Sequence, residues 1–177
     1  MKGILSLAAC AATLGLSAGA FAQFGGSNTL DATPHQFNVR GGIILPIDNS
    51  LRDLNNTWIG LGLDYRFEKS LLKDGETYLS IDWIGQSSSG SGFNVFPVML
   101  NQRFWGEGAP GARTYSFLGL GVVFFDSGPS TNVYAVRGGL GKELNEMVFV
   151  EGSITLSEKD GGGRVANNVG LYVGYRF

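Results

Sequence analysis

From Gln36 to Phe177 the chain is a succession of segments about ten residues long, each alternating apolar residues with small or polar ones. They are Gln36–Leu45, Trp58–Phe67, Thr77–Gln86, Phe93–Trp105, Thr114–Phe125, Thr131–Lys142, Met147–Ser157 and Asn167–Phe177. A period of two belongs to strands whose faces meet different surroundings. The connectors are rich in Gly, Asn, Ser and Asp, the residues of tight turns. Helical periodicity is confined to Ser50–Asn55, enough for one turn. Pro97 lies inside the fourth segment, where its missing N–H predicts a bulge or a late strand start.

The two registers of these strands differ in chemistry. One carries Val39, Ile43, Ile59, Leu61, Leu63, Ile81, Val98, Leu118, Leu120, Val136, Leu140, Ile154 and their like, and reads as free of charge. The other carries Arg40, Asp64, Arg66, Asp82, Arg103, Arg137, Glu151 and Arg176, together with many glycines. A soluble barrel turns its charges outward. A wide apolar register opposite a charged, glycine-lined one predicts the reverse, with lipid outside and a polar lumen. Strands of about ten residues are long enough to cross a bilayer when tilted, and only helices and closed barrels satisfy the backbone there. The expected fold is therefore all-β: an eight-stranded antiparallel up-and-down transmembrane β-barrel over residues 36–177.

An eight-stranded barrel is just wide enough for side chains to fill its interior. Inward charges must then be paired. Pairing of neighbouring strands puts Arg40 near Asp64, Asp82 near Asp64 and Arg66, and Arg137 near Glu151. Aromatic residues cluster near segment ends, as interfacial girdles do. Tyr65, Phe67, Phe104, Trp105, Tyr115, Tyr175 and Phe177 mark one rim; Trp58, Phe124, Phe125 and Tyr134 mark the other.

Ahead of the barrel, Lys2, the apolar run Ile4–Leu16 and the small-x-small site Ala20-Phe21-Ala22 predict a cleaved signal peptide over residues 1–22. Residues 23–35 are a polar, Gly-rich lead-in. Leu7-Ala8-Ala9-Cys10 matches a lipobox, but cleavage there leaves too short an apolar region. Loss of Cys10, the single Cys, removes thiol and disulfide chemistry from the mature chain. A formal net charge of -2 gives no basic surplus for nucleic acid. Enzymatic barrels need a general base on the wall, and the single His, His35, precedes the first strand. Asp48, Asp53, Asp126, Glu158 and Asp160 lack the spacing of a calcium loop. Asp160–Arg164 (DGGGR) reads as a turn, not a phosphate loop. No catalytic residue, metal site or cofactor is expected.

The Ala20-Phe21-Ala22 site, the strand YSFLGLGVVFF (Tyr115–Phe125) and the terminus GLYVGYRF (Gly170–Phe177) together resemble the small eight-stranded bacterial outer-membrane barrels of the OmpA transmembrane-domain and OmpX type. The resemblance implies export to the outer membrane, lipid as the surrounding medium and both termini in the periplasm. It also implies that Val169, Leu171, Val173, Tyr175 and Phe177 form the C-terminal signal read by the barrel-assembly machinery. The loops Pro46–Thr57, Ser87–Gly92, Asp126–Ser130 and Glu158–Ala166 would then face outward; they are short for adhesins.

Three functions fit this reading. The first is a non-enzymatic structural or surface-interaction barrel with a side-chain-plugged lumen and an unidentified surface partner. The second is a narrow channel for small solutes, and the third a secreted soluble ligand-binding barrel. If Phe177 acts as an assembly signal, deleting it should lower the yield of assembled barrel several-fold. The barrel that does assemble should keep its heat-dependent shift in gel mobility.

Overall fold

The computed structural model describes residues 36–72, 75–86, 93–126 and 132–177. The expected signal peptide, the lead-in and the loop Ser87–Gly92 lie outside the described residues, as does most of Asp126–Ser130. The strands are β1 (Phe37–Pro46), β2 (Trp58–Arg66), β3 (Glu76–Gln86), β4 (Asn94–Trp105), β5 (Thr114–Phe125), β6 (Asn132–Glu143), β7 (Val148–Ser157) and β8 (Asn168–Arg176). A single helical turn, α1 (Asn49–Arg52), follows β1. Each strand pairs with its sequence neighbours, and β8 returns antiparallel to β1 from Asn38↔Arg176 to Pro46↔Asn168. The barrel is closed. Among the described strands no edge is left to template pairing with another chain. The Phe177 N–H donates to the Phe37 carbonyl at 2.9 Å, so the last residue seals the seam.

Burial alternates along the strands with the same period as the sequence. In β8 the order is strict: Asn168, Gly170, Tyr172, Gly174 and Arg176 are buried, and Val169, Leu171, Val173 and Tyr175 are exposed. The apolar register is thus the outer surface, carrying Leu61, Leu118, Leu120, Leu140, Leu171 and Val173. This excludes the soluble ligand-binding barrel, which requires the opposite arrangement. One charge breaks the outer register: Lys142 is exposed, one residue from the end of β6. Its position in the strand's last turn lets a long stem lie on the apolar wall with its ammonium at the rim.

Pro97 forms no bulge. Ile81 pairs with Val98 and Ile84 with Val95, so the register is the same on both sides of the proline. Instead the β3–β4 ladder lapses opposite Asp82 and Trp83, while Pro97 still pairs with Val123 on the β5 side. The missing N–H costs a local ladder bond without shifting the register.

The glycines explain how so narrow a lumen holds so many large side chains. Inward aromatics lie opposite glycines on the next strand: Tyr115 opposite Gly141, Phe117 opposite Gly139 and Phe149 opposite Gly174. A Cβ built on any of these glycines would run into the ring it faces. Met99 and Gly121, and Asn101 and Gly119, repeat the pattern. Overpacking of this kind destabilises by about 1–3 kcal/mol. Gly174→Ala should therefore lower the urea midpoint of the folded barrel in detergent. Gly152→Ala, whose added methyl meets nothing within 4 Å, should leave it nearly unchanged.

Candidate functional site: the filled lumen

The lumen is stacked in three storeys. At the loop end lies an apolar one. Trp58, Ile44, Ile84, Val95, Met99, Val123, Phe125 and Val133 point inward, and Phe93, Leu51 of α1 and Ala166 close over them. Trp58 meets Phe93 edge-on at 5.8 Å, and Phe93 meets Phe125 at 6.0 Å. The Arg164 guanidinium covers both rings, 5.6 Å from Phe93 and 5.7 Å from Phe125. It is held by Asp160, whose carboxylate accepts from Arg164 Nε and from the Arg164 and Gly162 backbone N–H groups at 2.7, 2.7 and 2.9 Å. Burial alone would raise the Asp160 pKa. These donors outweigh it and hold the carboxyl below the usual carboxylate range.

In the middle storey the charges converge. Arg40 grips Asp82 with Nη2, at 2.9 and 3.1 Å from the two carboxylate oxygens, and reaches Glu151 with Nη1 at 2.9 Å. Arg137 meets the same Asp82 at 2.6 Å from the far wall. Glu151 accepts the Tyr115 hydroxyl at 3.0 Å, and Arg137 donates to Thr155 at 3.2 Å. Asp64 is fully buried beside Arg40 at 3.5 Å.

These contacts skip a strand. Arg40 is the register partner of Gly62, and Gly62 of Asp82. With no side chain on Gly62, the guanidinium passes over β2 to a carboxylate two strands away; a Cβ there would strike both. Tyr115 crosses Gly141 to Glu151 in the same way. The expected neighbours are accordingly corrected. Asp82 pairs with Arg40 and Arg137 rather than with Arg66. Arg66 pairs with Glu76 at 2.9 Å, and among the described residues Arg137 makes no ion pair with Glu151.

The third storey lies at the terminus end. Arg103 sits 4.6 Å from the rings of both Tyr78 and Tyr115 and 3.5 Å from Glu76. Arg176 bonds Glu143, which also holds Arg113 and the Gly111 N–H. Glu76, Arg113 and Glu143 each stand one residue outside the alternating segments, beside turns, and so do not stand out as inward charges. Strand parity was the available signal: Glu76 continues the inward register of Tyr78, Ser80 and Asp82, and Glu143 that of Arg137.

Parity also corrects the girdles. Tyr65, Phe67, Phe104, Phe124 and Tyr134 are exposed on the outer face, with Tyr134 at 72%. Trp58, Tyr115 and Phe125 are buried inside the barrel, and Trp105 is half-buried against Tyr115 and Phe149. Each of these four shares the register of inward residues: Trp58 with Asp64, Trp105 with Arg103, Tyr115 and Phe125 with Gly119 and Gly121. Nearness to a strand end sets depth, and parity sets the face. The terminus-end rim of Phe37, Tyr65 and Phe67 is a contact series, at 5.1 and 5.4 Å, and Tyr175 meets Phe177 at 5.0 Å.

No protein-family model and no curated protein matches this sequence. Solved structures do match. The N-terminal β-barrel domain of Pseudomonas aeruginosa OprF aligns over 81% of this chain and 98% of its own, at 15% identity and a TM-score of 0.51. Neisserial surface protein A aligns over 80% and 97%, at 11% identity and the same TM-score. At these identities the likeness is one of fold.

Removing one partner of a buried ion pair strands the other charge, at about 3–5 kcal/mol. Asp82→Ala takes from Arg137 its carboxylate partner among the described residues, while Arg40 keeps Glu151 and Asp64. It should destabilise the barrel by that much in urea titrations of the refolded protein. Asp64→Asn, with a single partner at 3.5 Å, should cost much less.

Proposed function

Starting from the fold of the eight-stranded barrels of the bacterial outer membrane, we propose that this chain is a small integral outer-membrane protein with a plugged lumen. Its role is structural or surface-interacting, not enzymatic. The observation that carries this reading is the apolar storey at the loop end, seated on the Asp82-centred belt. An apolar constriction excludes water and with it hydrated ions, and the belt below it leaves no charge free to travel. Lipid surrounds the outer apolar band. The termini lie in the periplasm, and the barrel-assembly machinery reads Phe177 with Val169, Leu171, Val173 and Tyr175 during insertion.

The wall hydroxyls of Ser80, Tyr115 and Thr155 are tied to the charges of the ionic belt, and this favours a role without chemistry. The parts left for contact with a partner are α1 and the connectors at the loop end, including the turn braced by Asp160 and Arg164. Leu51 of α1 and the Asp160–Arg164 turn are seated on the apolar storey, which suits a preformed surface.

In planar bilayers the purified barrel is expected to give no stable ohmic current. A steady conductance that changes in Arg137→Ala would overturn the plug and favour the narrow channel. Fractionation away from the outer membrane would overturn the location.

A further inference from the structure

Four arginines meet at the terminus end of the lumen: Arg66, Arg103, Arg113 and Arg176. Among the described residues they share two carboxylates, Glu76 and Glu143. Glu143 is saturated. Its Oε2 accepts from the Gly111 N–H, the Arg113 N–H and Arg113 Nε at 2.9, 3.3 and 3.1 Å; its Oε1 accepts from Arg113 Nη2 and Arg176 Nη1. Glu76 is divided between Arg66 at 2.9 Å and Arg103 at 3.5 Å. Within this cluster two positive charges are left over, one of them offset by the belt above, where Asp64, Asp82 and Glu151 face only Arg40 and Arg137.

The surplus is visible atom by atom. Arg103 Nε and Nη2, Arg176 Nε and Nη2, and Trp105 Nε1 are buried without an acceptor. Arg103 and Arg176 are both more than nine-tenths buried. The two guanidinium carbons each lie 5.3 Å from the centre of the Trp105 ring, so the orphan donors are gathered around one side chain. A third guanidinium, Arg113, covers that ring at 3.9 Å. Orphan donors on cations are expensive to bury. Around Trp105 the unmet atoms are donors lacking an acceptor that carries negative charge; the unmet oxygens of Asn38, Tyr78 and Asp64 make no bond to them. Trp105 and Arg113 are only half-buried, so the cluster opens to the terminus-end mouth.

We propose that this end of the lumen binds a small oxyanion of the phosphate or sulfate type, held by Arg103, Arg176 and the Trp105 indole N–H. Guanidinium groups and an indole N–H match such an ion, offering several charge-assisted bonds and no competing acceptor. The site is independent of whether the loop end conducts.

The three tryptophans make a built-in control. The Trp58 indole N–H is already bonded to the Asn55 carbonyl at 2.8 Å, and that of Trp83 to Asn94 at 3.0 Å. The full chain, labelled with nitrogen-15 and folded in a detergent without phosphate, should be titrated with sodium phosphate against sodium chloride at matched ionic strength. The Trp105 indole resonance, assigned by its loss in Trp105→Phe, should shift and saturate, while those of Trp58 and Trp83 stay in place. Arg103→Gln should weaken the phosphate response about tenfold or more, the loss expected for a charged hydrogen bond. Absence of a saturable shift beyond the chloride control would show that the donors hold only water and would overturn the proposal. So would equal movement of all three indoles, or an unchanged midpoint in folded Arg103→Gln. If Arg103→Gln does not fold, the wild-type titration decides alone.

Discussion

The structure turns on the contact between Asp82 and its two arginines. Arg40 and Arg137 approach one carboxylate from opposite walls, and Arg40 carries the link on to Glu151 and Asp64. An outer surface facing lipid cannot hold charge, so every ionisable side chain on the membrane-crossing part of the wall must point inward. Inside a narrow barrel those charges have no bulk water. They are tolerable only if each finds its opposite. The belt is the consequence of the apolar exterior, and it ties together strands that share no hydrogen bonds.

Glycine makes this geometry possible. A lumen enclosed by eight strands cannot accommodate a large side chain at every inward position. Here large and absent side chains alternate across the seams: Phe149 over Gly174, Tyr115 over Gly141, Arg40 over Gly62. The result is an interior filled from three levels, apolar, ionic and cation–π. The apolar level lies where the loops close, and the cationic surplus lies where the termini meet. The two ends therefore differ in chemistry: one is lined by apolar side chains, the other offers donors.

Much of the architecture was legible because alternation carries it. Strand positions, barrel closure through GLYVGYRF and the outward face of Val169 to Phe177 all follow from a period of two. The girdle assignments of Trp58, Trp105, Tyr115 and Phe125 failed where position along the strand was allowed to outweigh parity. Glu76 and Glu143 were lost for a related reason: a charged residue beside a turn looks solvated, yet one more step of the alternation places it inside. Lys142 shows the limit of the rule, since a long cation is tolerated outward when it stands at the rim.

The sequence by itself determined the number of strands, their faces and the set of charges committed to the interior, because those depend on local alternation and on what lipid excludes. Only the tertiary structure decided which charge meets which. Partners are set by the stagger of the closed barrel and by glycines that open a path across an intervening strand, so Arg40 meets Asp82 over Gly62 and Tyr115 meets Glu151 over Gly141. Stagger and path are properties of the whole ring, and no single segment of the chain contains them.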